Sequence, residues 1–420
     1  MEILSTGEKI KRARIYQGIT LKELCGNRVS ISKMSCIENG KIKADNEILK
    51  YISNKLDIDF DYLVRDVKDQ ILTNLNDIKN GLVSEKNIRE VLKNNIEYCL
   101  EYSYNELSFE FTHMLFNFYI GQNNIDDIQT IISQYYDVYQ KNNNRKNTII
   151  FYKDMAAFFY SINEFNEAIN YYIRLKGILK EEEVIDKNNL AYICFREGKT
   201  YYKLDMIDKA YETIKEAVEY VDYLESLKDK GDMFQTFASI NIILNKKEAE
   251  EYIEKSYSYK SEDLTSLAIA MGQIGAAFFK VGNKDRGLQE LKKGIEIFPK
   301  ENKQEHVKFL NKCVNTLYEN EIYEYAYEIA DIALNNAIKI DNIVEIERAY
   351  YLKGMILQKQ GNYLQAEMYM NLSLDSLFKF ANNDEKYKRY LDMASMYHKL
   401  YETKEALKYF GLAMALDKEK

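Results

Sequence analysis

The sequence predicts an all-α protein, with a small N-terminal helical domain followed by a long solenoid of paired helices, and three observations predict it. A single proline, Pro299, and 17 glycines in 420 residues leave little to interrupt helices. Residues 1 to 65 carry short, capped helical patterns with apolar faces of their own. Beyond them a small residue recurs near every fortieth position. At this length one compact core is not expected, which favours separate modules or a stack.

The N-terminal pattern resolves into five helices. In residues 7 to 18, Ile10 and Ala13 share a helical face, and Gly18 can supply a left-handed stop. Thr20 with Glu23 three residues on forms a capping box, after which Leu24 and Cys25 point inward. Ser30 can cap the next helix, with Met34 and Ile37 inward and Asn39-Gly40 as its stop. That spacing leaves Ile31, Ser32, Lys33, Ser35 and Cys36 facing outward. Residues 46 to 56 give a fourth helix through Ile48, Ile52 and Leu56, and Phe60 to Val64 a fifth. A short helix, a turn and a second helix with an outward polar face is the layout of a DNA-reading helix-turn-helix.

Charge points the same way. Residues 1 to 44 hold nine Lys or Arg against four acids, a net of +5; the whole chain carries −8, so residues 45 to 420 carry −13. A basic head on an acidic body suits a protein whose first module meets phosphate while the rest repels it. Lys9, Arg12, Lys33, Lys41 and Lys43 are the expected phosphate contacts, and Ser30 and Asn39 lie on the same DNA-facing stretch.

The body is a repeat. Ile128, Ala168, Ala210, Ala249, Gly287, Ala326, Ala366 and Ala406 follow one another at intervals of 38 to 42 residues. Gly198, Tyr201, Ala210, Ile214 and Ala217 follow the small, aromatic, small, large, small order of the tetratricopeptide motif. Gly275, Phe278, Gly287, Leu291 and Gly294 repeat it, with Pro299 after them. Small residues let paired helices approach while large ones fill the gap between units. The domain reading is therefore 1 to 65 for the head, 66 to 105 for a linker helix and an irregular first pair, and 106 to 420 for the repeats.

Stacks of this kind form a right-handed superhelix whose first helices line a concave groove suited to an extended peptide. The offsets place Tyr202, Asn241, Gln273, Asn311, Asn315, Tyr318, Tyr351 and Gln358 toward it, along with Asn117, Tyr160, Lys199 and His398. Asn and Gln side chains satisfy a peptide's N–H and C=O together, and Tyr covers its apolar groups. Asn311 and Asn315 stand one turn apart, so both are expected to bond a ligand backbone.

Other chemistry is weakly represented. Gly198-Lys199-Thr200 resembles the end of a phosphate loop, but Ile193 occupies the required glycine position and no strand precedes it, so repeat packing explains it. The three histidines are far apart and no nucleophile, acid and base set can be named; neither catalysis nor a cofactor or metal is expected. No apolar run reaches the roughly 18 to 20 residues needed to span a bilayer, and the N-terminus enters helix one without a signal peptide. The protein is expected in the cytoplasm, its five scattered cysteines reduced.

The run LKELCGNRVSISKMSCIENGK, followed by degenerate tetratricopeptide units, resembles the peptide-responsive transcriptional regulators of Gram-positive bacteria, the Rgg, PlcR, PrgX and Rap group, including clostridial members that govern sporulation and toxin genes. The resemblance implies a cytoplasmic homodimer with an XRE-type helix-turn-helix that binds a double-stranded DNA operator and responds to a short signalling peptide in the groove, as in quorum sensing. It also implies an ion pair between Arg14 and Glu38, and base-reading positions at Ile31, Ser32 and Cys36 with Lys33 and Ser35 nearby. The Gln or Arg usual there is absent, so specificity is expected to lean on phosphate positioning, Ser contacts and DNA shape. Two other classes fit the repeats: a tetratricopeptide adaptor, and a Rap-like protein that binds a partner such as a response regulator.

Overall fold

The computed structural model describes residues 3–122, 124–181, 186–301 and 303–417. Among them it contains 23 α-helices, one 3-10 turn and no strand. The chain divides into two compact units, Met1–Ile178 and Leu179–Lys420.

The first unit opens with α1 (Thr6–Tyr16), α2 (Leu21–Cys25), α3 (Ile31–Glu38), α4 (Asn46–Leu56) and α5 (Phe60–Val64). Side-chain caps set these short helices. Ser5 and Glu8 form a capping box at α1, Thr20 and Glu23 another at α2, and Asp45 accepts from the Ile48 amide at α4. The α1 box starts that helix at Thr6, one residue before the glycine from which the apolar pattern is read. Ile10, Leu24, Cys25, Met34, Ile37, Ile52, Leu56 and Leu63 make the shared core. Gly7 is where α1 meets the end of α3. A Cβ there would lie 2.2 Å from the Ile37 carbonyl oxygen, so only glycine permits this approach.

Six longer helices complete the unit: α6 (Val67–Lys79), α7 (Glu85–Glu101), α8 (Asn105–Gly121), α9 (Ile125–Lys141), α10 (Arg145–Ser161) and α11 (Phe165–Lys180), the division falling just before the last two residues of α11. Residues 66 to 105 thus form two helices that enter the core through Ile71, Leu75, Leu92, Ile96 and Cys99. Asn74 Nδ2 donates to Asn95 Oδ1 at 3.1 Å in its interior. The segment before α1 belongs to this core as well. Ile3 is 1 % exposed within it, and the Gln70 amide group bonds both the N–H and C=O of Leu4, at 3.3 and 2.8 Å.

The second unit is a tetratricopeptide-like solenoid of six helix pairs. The pairs are α12 (Lys187–Lys203) with α13 (Ile207–Glu219), α14 (Leu227–Ile243) with α15 (Ala249–Lys260), and α16 (Leu264–Lys280) with α17 (Lys284–Ile297). They continue as α18 (Lys303–Glu319) with α19 (Tyr323–Lys339), α20 (Ile343–Lys359) with α21 (Tyr363–Leu377), and α22 (Asn383–Lys399) with α23 (Thr403–Asp417). Every first helix is 17 residues long. The repeating small residue is the fourth residue of α13, α17, α19, α21 and α23, and in α15 it is the first. Gly198 in α12 faces Ile214 of α13, where a Cβ would come within 2.3 Å of Ile214 Cγ1, so the Gly-Lys-Thr triplet is a packing feature of a helix.

Each pair turns through a left-handed residue two positions after its first helix: Asp205, Asn245, Gly282, Glu321, Gly361 and Tyr401, with φ from 51 to 79° across the unit's left-handed residues once Asp341 is included. The backbone requirement is constant while the residue varies. Asn and Asp tolerate this region, but Glu321 and Tyr401 meet the Cβ clash that costs roughly 1–2 kcal/mol. Glu321→Gly, at φ 65°, is therefore expected to raise the stability of this unit by about 1 kcal/mol despite glycine's greater freedom when unfolded. Urea unfolding checks it, and an unchanged or lower midpoint would show that the turn relaxes around the side chain.

Candidate functional site

The head presents one polar, cationic face built on α3. Burial of Met34, Ile37 and Glu38 fixes the roll of this helix and leaves Ile31, Ser32 and Lys33 exposed in its first turn. Ser30 caps the helix, its Oγ accepting from the Lys33 amide at 3.2 Å, while Ser35 and Cys36 are half-buried. Asn39 folds its side-chain amide back onto the Ser35 carbonyl at 2.8 Å. Lys41 and Lys43 are exposed, and Lys33 stands 3.7 Å from Asp45 in a solvent-facing pair that holds it weakly. Arg12 is exposed as well, but it lies beside Lys9 and Tyr62 in a cleft that no α3 residue lines.

Lys9 does not belong to this face. It is 2 % exposed, and its ammonium donates to the Tyr62 and Arg65 carbonyl oxygens at 2.7 and 2.6 Å, with the Tyr62 ring 4.6 Å away. Burial, reinforced by Arg65, draws its pKa below the usual lysine value. The expected phosphate contact is thus replaced by a structural one that ties α1 to the end of α5.

Arg14 and Glu38 are brought together. The Arg14 Nε and Nη2 donate to the two Glu38 carboxylate oxygens at 2.7 and 2.9 Å, and Nη1 donates to the Ile19 carbonyl at 3.1 Å. Their side chains are 13 and 3 % exposed. The hydrogen bond to Glu38 raises the guanidinium pKa further, so this bidentate pair locks α1 to α3.

In the second unit the residues expected along the groove separate into two sets. Gln273 and Asn315 line a pocket of about 280 Å³ between α16, α18 and α20, with Leu291 of α17 at its base. Asn315 Nδ2 donates to Glu319 at 2.7 Å, leaving its oxygen available. Asn311 is not beside it in the pocket. It is 1 % exposed, and its Nδ2 donates to Glu345 Oε2 at 2.8 Å; a pair one turn apart on a helix diverges here because the buried Glu345 carboxylate captures one member. Asn241 is likewise 1 % exposed, bonded to the Phe237 carbonyl at 2.7 Å. Both side chains are buried, where the repeat offsets place them on the open groove.

The tyrosines are also partly engaged. One face of Tyr351 carries the Arg389 guanidinium, 3.3 Å from the ring centroid, and its hydroxyl donates to Asp392 at 3.0 Å. Tyr202 and Tyr318 are half-buried, with burial raising both hydroxyl pKa values. Gln358 is half-buried with its Nε2 unpartnered. Lys199 is held down to a pKa of about 8 by burial.

Three residues that the repeat offsets did not single out share the pocket with Gln273 and Asn315: Lys308, Lys312 and Arg348. They sit one turn apart on α18 and at the facing edge of α20, a signal visible only once α18 and α20 are paired. Cys313 also lines the pocket, but burial pushes its thiol up to about 12, which removes it as a nucleophile at neutral pH. Among the described residues no group of three or more His, Cys, Asp or Glu is placed to hold a metal ion, and no helix is long and apolar enough to cross a membrane.

A capped helical head and paired helices with a lined inner face define a tetratricopeptide-like repeat protein. The tetratricopeptide repeat family model matches residues 347–376, spanning most of α20 and α21. No curated protein matches the chain in sequence. A solved Rap protein complexed with Competence and Sporulation Factor shares the fold at a TM-score of 0.50 and 15 % identity, over 84 % of this chain and 98 % of that one. The apo quorum sensor NprR from B. thuringiensis aligns at 0.48 and 14 %, over 84 and 99 % of the two chains. Bacillus thuringiensis PlcR in complex with the peptide PapR7 and DNA aligns at 0.34 and 15 %, over 64 and 99 %.

Proposed function

We propose that this chain is a transcriptional regulator that binds operator DNA as a homodimer, without catalysis, and whose DNA binding is modulated by a short signalling peptide held on the inner helices of its second unit. The observation that carries the reading is α3, buried through Met34, Ile37 and Glu38 with Ile31, Ser32 and Lys33 left in solvent at its N-terminal turn. That is the end of a recognition helix that meets base edges in a major groove. Arg12, Lys33, Lys41 and Lys43 then neutralise phosphates, Ser32 bonds a base edge, and Ile31 meets a thymine methyl. The acidic body adds long-range repulsion that keeps the DNA on the head. The Rap protein that shares the fold was solved in complex with Competence and Sporulation Factor, and a signal is the proposed occupant here too. A peptide alters operator affinity only by preferring one arrangement of the protein over another.

Selection from a randomised double-stranded DNA pool by the full chain, followed by a salt titration and footprinting, tests the first half. Four phosphate contacts per subunit give a dimer a slope of about −7 in log K against log salt. Lys41→Gln with Lys43→Gln is expected to reduce that slope by about 4 while sparing sequence preference. The footprint is expected to show two half-sites about 34 Å apart. No enriched sequence, or binding indifferent to salt, would sink the regulator reading and favour a tetratricopeptide adaptor for a partner protein.

A further inference from the structure

The pocket between α16, α18 and α20 is amphipathic in a specific way. Its floor and walls are apolar, from Ile269, Ala276, Leu291 and Phe309, while its rim carries three cations against one acid. Lys308 is held by that acid, Glu305, at 2.9 Å. Lys312 and Arg348 are exposed and have no anionic partner among the described residues. This local excess of two positive charges sits in a body that carries −13 from residue 45 onward. Three cations that reach toward the interior of this unit are spent on acids, Arg389 on Glu347, Lys353 on Asp331 and Lys260 on Asp232. An anion is the complement that Lys312 and Arg348 lack.

We propose that this pocket captures the C-terminal residue of the signalling peptide, an apolar side chain seated on Leu291 and Phe309 with its free carboxylate between Lys312 and Arg348. The assignment rests on the peptide-binding reading above and names the end of the ligand and its chemistry. About 280 Å³ lies at the small end of ligand sites, room for a terminal residue and not for a whole peptide. A C-terminal residue carries its side chain and carboxylate on one carbon and so fills the apolar floor and the cationic rim together. An internal Asp or Glu puts its charge at the tip of the side chain and leaves the floor empty. Arg348 supplies a planar fork for two carboxylate oxygens and Lys312 a point charge. Gln273 and the free Asn315 oxygen are placed beside them to take the last peptide unit's backbone groups.

The probe is a pool of randomised heptapeptides ending in leucine, made once with a free C-terminal carboxylate and once as the C-terminal amide, and retained on the full chain. Free-acid peptides are expected to be enriched, with the same sequences binding at least about tenfold more weakly as amides. Lys312→Gln with Arg348→Gln is expected to weaken the free acids by about tenfold and leave the amides unchanged, and because both residues are exposed the variant is expected to melt with the wild type. Equal retention of acids and amides overturns the assignment, as does enrichment of Asp- or Glu-containing peptides in both pools alike. Retention of neither pool by the wild type overturns the peptide reading itself, which separates its failure from that of the terminal pocket.

Discussion

Arg14→Ala is expected to destabilise the head by about 3–5 kcal/mol, because it strands the Glu38 carboxylate, 3 % exposed, in an apolar site. The loss falls on the contact between α1 and α3 and on the Ile19 carbonyl that Arg14 also holds. Hydrogen exchange across residues 6–64 of the full chain reads it as faster exchange there than in α12 to α23. Operator affinity is expected to fall with it, since α3 loses its brace. Glu38→Gln with Arg14→Met removes both charges and is expected to recover a large part of the loss. Unchanged exchange in Arg14→Ala would mean that solvent reaches Glu38 and the pair is not structural.

An effect of similar size is expected in the second unit from Arg389→Met. Arg389 donates to the Glu347 carboxylate, which also accepts from Ser373 Oγ at 2.7 Å, and it stacks on Tyr351. The two side chains are 11 and 8 % exposed, so removing the cation leaves a buried carboxylate with one neutral donor. A cost of about 3–5 kcal/mol follows, measured as a lower urea midpoint of the full chain monitored in residues 343 to 399. Glu347→Gln added to Arg389→Met relieves the stranded charge. A double variant no more stable than the single one would assign the effect to lost packing on Tyr351 in place of charge.

These two pairs show what a linear sequence carries and what it does not. The ends of α4 and α5 follow from local pattern, Asn46–Leu56 and Phe60–Val64, because caps and apolar spacing act within a few residues. The repeat survives too, since the steric need for a small residue in the first turn of a second helix is met inside each helix pair. Side-chain partners far along the chain are not legible in that way. Lys9 looks like a free cation until Tyr62 and Arg65 bring their carbonyls to it from the end of α5. Asn311 looks like its neighbour Asn315 until Glu345, 34 residues on, takes its amide. The cationic rim of the pocket was hidden for the same reason, because Arg348 joins Lys308 and Lys312 only when α20 packs beside α18. The left-handed turns at Glu321 and Tyr401 give no compositional sign, since neither residue favours that backbone region.

The residues ahead of α1 have a practical bearing on how the head can be isolated. Ile3 is buried in the core that α6 and α7 build, and Leu4 finds both its backbone partners on Gln70. A fragment ending at residue 65 would expose the Ile3 side chain to water and leave Leu4 without those bonds, although its five helices kept their own core. The smallest piece that preserves the native surroundings of the N-terminal arm therefore extends past α6 and takes in the helices from α7 onward that complete this core.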